Sequence, residues 1–140
     1  MKNITVATYK KDKLYPKVVK AAAELLKESD EISPIDILMK AGNLTPQGYD
    51  NWRHGRIPYL ERVFQGSLSK ASRFLRIIAF HAHDLNMLPR QHTYFQIGKK
   101  NKLRFTRSGI PDVENAYSRH FRWNQSPEKK ETLIKQALSE

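Results

Sequence analysis

Two groups of side chains in this sequence have types and spacings that could do chemistry. The first is histidine: "HAHD" holds His81, His83 and Asp84. Imidazole exchanges protons near neutral pH and, with a carboxylate, ligates metals. His81 and His83 lie about 200° apart around a helix, so a regular helix does not let them share an ion, whereas His81 and Asp84 share a face. The plainer reading of His81 is a helix-end residue favoured by the C-terminal dipole. His120, with Tyr117 before it and Arg119 and Arg122 around it, has the residue types of a general base with phosphate clamps. No HExxH, P-loop, dinucleotide fingerprint or nucleophile elbow occurs, and we expect no metal and no cofactor.

The second group lies in "LTPQGYDNWRHGRIP", residues 44–58. Gln47 and Asn51 are four apart and share a helical face, while Tyr49 and Trp52 point the other way. Amides of this kind make paired hydrogen bonds to adenine, and Arg53, His54 and Arg56 follow at the helix end, where arginine reaches guanine or a phosphate.

Charge singles out the same region. The net charge is +11, yet residues 1–52 and 108–140 are close to neutral. Residues 53–107 hold twelve Lys/Arg against Glu61 and Asp84 alone. Solubility does not require that confinement; attraction to a polyanion does. The chain has no cysteine, no apolar leader at its start and no apolar run long enough to span a bilayer. The expectation is a soluble, cytoplasmic protein whose partner is nucleic acid and not a membrane.

The elements that must position these groups are mostly helical. "PKVVKAAAELLKES" from Pro16 carries an apolar stripe of Val18, Ala22 and Leu25 or Leu26. Ser33 and Thr45 are N-caps, each followed by proline at the first helical position, and Gly42-Asn43 and Gly55 are stops. A short helix is expected at "PYLERVFQG". The longest, about 68–86, has Leu68, Ala71, Leu75, Ile78, Ala79 and Ala82 as its apolar stripe. On its other face Lys70, Arg73 and Arg76 form a basic stripe. Period two then predicts a β-hairpin at 92–107 with "GKKN" at its turn. Thr93, Phe95, Ile97, Leu103 and Phe105 form its inner face, and Lys99, Lys100, Lys102 and Arg104 its basic side. "PDVENAYSRHF" and "SPEKKETLIKQALSE" close the chain as helices.

The segment 35–64 resembles the Cro-type repressor helix-turn-helix family. The likeness lies in "LT" opening the second helix and in "WRHGRIP", where that family has an apolar residue, polar residues, glycine, a basic residue and proline. The register puts Leu38, Leu44, Tyr49 and Trp52 inward. Met39 departs from the family's alanine and Asn43 from its glycine. The resemblance implies a second helix that reads duplex DNA in a major groove.

We therefore expect a mainly helical α+β domain at 14–125, preceded by a polar arm (1–13) and followed by a C-terminal helix or tail (126–140). Duplex DNA is the expected partner, with the hairpin, Arg73 and Arg76 on phosphates. The alternatives are a small basic RNA-processing enzyme using His81, His83 or His120, and a non-catalytic RNA-binding module with Tyr94 free to stack on bases. An ordinary helical hairpin with solvated arginines, and an edge hairpin guarded by lysine, are the readings without a ligand.

Overall fold

The computed structural model describes residues 4–139, so Met1–Asn3 of the expected arm and Glu140 lie outside the described residues. Among the described residues, six helices and three short strands make a mixed α+β domain, mainly helical, with a small antiparallel sheet. The helices are α1 (Tyr15–Glu28), α2 (Pro34–Lys40), α3 (Pro46–Arg53), α4 (Leu68–Asp84), α5 (Pro111–Ser118) and α6 (Pro127–Leu138). The strands are β1 (Glu31–Ile32), β2 (Leu88–Gln91) and β3 (Arg119–Arg122), in the order β1-β3-β2.

Local chemistry sets most helix starts. The side chains of Ser33, Thr45, Ser67 and Ser126 each accept the backbone N–H three residues on, and all but Ser67 are followed by proline at the first helical position. Gly42 takes the left-handed turn after α2 with φ +84°. Asn43 does not need that conformation; its amide donates to the Gln65 carbonyl at 2.7 Å, and the Gln65 N–H donates back to the Asn43 carbonyl at 2.8 Å.

The core is a single cluster joining Val18 and Leu26 of α1, Ile35, Ile37 and Leu38 of α2, Trp52 of α3, and Phe74, Ile77 and Ile78 of α4. The stripe on α4 is rotated from the expected one. Phe74 and Ile77 are buried, Leu75 and Ala79 are only half-buried, and Leu68 is exposed. Large apolar residues lie on both candidate faces of this helix, Leu68 and Leu75 on one and Phe74 and Ile77 on the other, so periodicity alone does not choose between them. Residues 60–63 form a 3-10 turn in place of a short α-helix.

The sheet corrects the expectation most. The helix expected over "PDVENAYSRHF" ends at Ser118, and Arg119–Arg122 become the central strand. The 92–107 segment is not a two-stranded hairpin: one bridge, Phe95 to Lys102, joins its arms. Its first arm is turned over relative to the expected alternation, with Tyr94 buried and Phe95 and Ile97 half exposed. A one-residue slip moves every side chain to the other face. The second arm follows expectation, with Leu103 and Phe105 inward.

The N-terminal segment packs on the helices. A 3-10 turn at Tyr9–Lys11 buries Tyr9, whose hydroxyl donates to the Asp84 carboxylate at the end of α4. At the other terminus α6 packs on α1, and Lys130 Nζ meets Asp30 Oδ1 at 2.7 Å.

Candidate nucleic-acid interface

Trp52 organises this region. Its ring is fully buried against Tyr94 and Phe105, at centroid distances of 5.5 and 5.1 Å. Its indole N–H donates to the Arg104 carbonyl at 2.8 Å. Leu38 and Leu44 are buried as the inward register requires, and Tyr49 is half-buried beside Trp52. Gly48 lies where α3 meets the 60–63 turn, and a Cβ there would stand 3.0 Å from Thr45 Oγ1 and 3.2 Å from Val63 Cβ. That close approach accounts for a glycine inside a helix, which otherwise costs about 1 kcal/mol relative to alanine.

The loop 95–102 sits on the C-terminal end of α3. The Ile97 N–H donates to the Arg53 carbonyl at 2.8 Å, and the Gln96 amide donates to the His54 carbonyl at 3.3 Å. These carbonyls are among the orphan acceptors at a helix end. Gly55, at φ +72°, admits Gln96 so closely that a Cβ would lie 2.5 Å from its side chain. Lys99, Lys100 and Lys102 are thereby held in the open beside α3. The second arm is anchored from below. The Glu114 carboxylate on α5 accepts the Thr106 hydroxyl at 2.6 Å and the backbone N–H groups of Phe105 and Thr106.

The expected contact residues divide into three groups. Gln47 is exposed on α3; Asn51, one turn on, is partly exposed and accepts from Arg56 Nη1 at 2.9 Å through its amide oxygen. With Arg62 they border a groove of about 400 Å³ between α3 and residues 62–65. His54 Nδ1 is 2.9 Å from the Asp50 carbonyl, and Arg56 lies 3.6 Å from the Asp50 carboxylate, so one acid tempers this end of the helix.

Three arginines are committed to the fold. Arg53 donates to the Tyr49 hydroxyl at 2.8 Å, and its guanidinium carbon lies 5.8 Å from the ring centroids of both Tyr49 and Tyr94. Arg73 holds Asp12 in a two-point ion pair at 2.6 and 3.0 Å, which keeps the Asp12 carboxyl below its ordinary range. Arg104 folds back onto the carbonyls of Thr106 and Arg107. Arg76 is exposed and reaches the Ile4 carbonyl, on the α4 face that meets the N-terminal segment, away from the loop's own contacts with α3.

The histidines do not gather into one site. His81 is buried, and burial lowers its pKa to about 4, so it stays neutral; its ring meets Tyr15 edge-on. His83 is exposed, and Asp84 is engaged by Tyr9. Among the described residues no group of three His, Cys, Asp or Glu is placed to hold a metal ion. Sequence reasoning missed a cluster on the sheet that joins His120 to His92, Tyr94 and Glu31. Only the strand register brings Glu31 to residue 120, and no spacing rule links them.

The fold and site define a mainly helical α+β domain with a basic loop docked on the end of a short helix. Comparison with protein-family models, with curated proteins and with solved structures finds no match to this chain. No helix among the described residues is long and apolar enough to cross a membrane.

Proposed function

We propose that this protein binds nucleic acid, duplex DNA in preference to RNA, through α3 and the loop 95–102. The observation that carries this reading is the seat of the loop on α3. Bonds from the Ile97 N–H and the Gln96 side-chain amide to the Arg53 and His54 carbonyls make two stretches, about forty residues apart in sequence, one basic surface. Lys99, Lys100, Lys102 and Arg56 supply charge for phosphates, and Gln47 and Asn51 supply amides for base edges. The pairing of α2 and α3 through a five-residue turn, with Trp52 inward, supports the helix-turn-helix resemblance.

One observation favours a second reading. Phe95 is 46% exposed in the basic loop, and an exposed ring among lysines suits stacking on an unpaired base. Tyr94, the ring first considered for that task, is buried. The test is titration of the full chain with duplex DNA, duplex RNA and single strands at several salt concentrations. The duplex reading expects tightest binding to duplex DNA and a steep fall of log K with log salt. A flat salt plot with every ligand removes both readings.

A further inference from the structure

We infer that the outer face of the sheet is a phosphate-binding site built from Arg90 and His92, with His120 as its wall. This site is separate from α3 and does not rest on the reading of α3. In antiparallel pairing, directly opposed residues share a face. Arg90 stands opposite His120, and Glu31 opposite Arg122, so these four share one face, while Ile32 and Phe121 turn to the core. Arg90, Gln91, His92, His120 and Glu31 border a cavity of about 170 Å³. A water occupies about 30 Å³ of liquid, so a phosphate group with part of its hydration fits.

The cavity's hydrogen-bonding capacity is unevenly used. His120 is fully engaged: its Nδ1–H donates to Glu31 at 3.2 Å, and its Nε2 accepts the Tyr94 hydroxyl at 2.8 Å. That arrangement needs a neutral ring, and burial together with the neighbouring His92 lowers the His120 pKa in the same sense. His92 is held rigidly by rings: it stacks on His120 at 4.5 Å with 22° between planes, and meets Tyr94 edge-on at 4.7 Å. Its backbone N–H is fixed to the Ser118 carbonyl at 3.0 Å. Neither ring nitrogen of His92 nor the Arg90 guanidinium has a hydrogen-bond partner among the described residues.

The result is an imidazole fixed before a ligand arrives, with the unpartnered Arg90 guanidinium beside it, at the mouth of a small cavity. Preorganised groups lose little entropy on binding. The sign of the charge selects an anion. The face that holds the cavity carries Arg90 and Arg122 against Glu31, whose charge the neutral His120 leaves in place, a net of one positive charge; Asp36 on α2 acts on His120 only from a distance. Guanidinium and imidazole are donors suited to the tetrahedral oxygens of phosphate. Such a group arrives either on a small phosphate ester or as part of a nucleic-acid backbone.

The test follows the imidazole resonances of the five histidines during titration of the full chain with inorganic phosphate, and separately with a duplex DNA. Phosphate should move the His92 and His120 signals saturably, leaving His54, His81 and His83 in place. Arg90→Gln should weaken that response at least tenfold with unchanged far-UV dichroism. If the duplex also moves His92, and Arg90→Gln lowers duplex affinity, the site holds backbone phosphate. If only inorganic phosphate acts, it holds a small ester. Equal, unsaturating shifts of all five histidines, or a response that survives Arg90→Gln, would overturn the inference. Loss of duplex binding in a Lys99, Lys100 and Lys102 variant tests the α3 reading separately and leaves the phosphate titration unaffected.

Discussion

The indole N–H of Trp52 donates to the carbonyl of Arg104 at 2.8 Å, across fifty-two residues of chain. A ring that sequence reasoning places in the core of a helical hairpin thus also fixes the arm that carries the basic loop. Position of the lysines and stability of α3 are coupled through this one side chain.

Trp52→Ala should destabilise the fold by about 3–5 kcal/mol, the usual cost of emptying a buried aromatic site. Trp52→Phe keeps most of the packing and removes one of two donors to the Arg104 carbonyl, which retains the Leu60 N–H at 3.2 Å, at a cost of about 0.5–1.5 kcal/mol. Urea unfolding of the three proteins measures both. A silent Trp52→Phe would mean that the Leu60 N–H alone satisfies that carbonyl.

Changing Lys99, Lys100 and Lys102 together to Gln should weaken duplex binding about equally on all sequences. The slope of log K against log salt should become shallower by up to about 0.9 for each phosphate that the loop no longer neutralises. All three are exposed and the fold should be unaffected. Wild-type affinity after the triple change would remove the loop from the interface.

Sequence preference should reside in Gln47 and Asn51. Replacing either with alanine should cost about 1–3 kcal/mol at one base pair and little elsewhere, as read by selection from a random duplex library. Arg53, packed against two tyrosines, should affect stability more than base preference. An unchanged motif from both alanine variants would place base reading elsewhere or nowhere.

Arg73→Gln should lower the melting temperature without changing affinity for nucleic acid. The guanidinium secures Asp12, whose side chain is only 11% exposed, and so holds the N-terminal segment against α4. A weakened complex with an unchanged melting temperature would instead give Arg73 a direct contact with the ligand.

Stability should fall in acid through His81. Its pKa drops from 6.5 to about 4 on folding because burial disfavours the charged ring. The unfolded chain therefore binds this proton first. The contribution is fully present above pH 6.5, is lost as pH falls from 6.5 towards 4, and amounts to about 3 kcal/mol. Asp12, whose carboxyl is held low by Arg73, adds a further loss at lower pH as it protonates. Urea unfolding at about pH 7, 5.5 and 4.5 measures the slope, and His81→Gln should remove the part between pH 6.5 and 4.

What the sequence determined by itself is local. Ser33-Pro34 and Thr45-Pro46 start helices because cap and proline act on their own first turns, and Gly42 and Gly55 end them because only the backbone there is asked to change hand. The charge block at 53–107 and the inward register of Leu38, Leu44 and Trp52 were equally legible, since spacing and composition carry them. The tertiary structure decided the rest. Whether Tyr94 or Phe95 turned inward depended on the space left beside Trp52, Phe105 and His120, which no alternation of residue types records. Arg53, Arg73 and Arg104 read as free charges until their tyrosine, carboxylate and carbonyl partners were in place. Arg119–Arg122 became a strand because β1 and β2 lay on either side of it to accept pairing. That pairing is long-range, and its loop-closure entropy is offset only in the folded chain; it is also what set His92, His120 and Arg90 around one cavity.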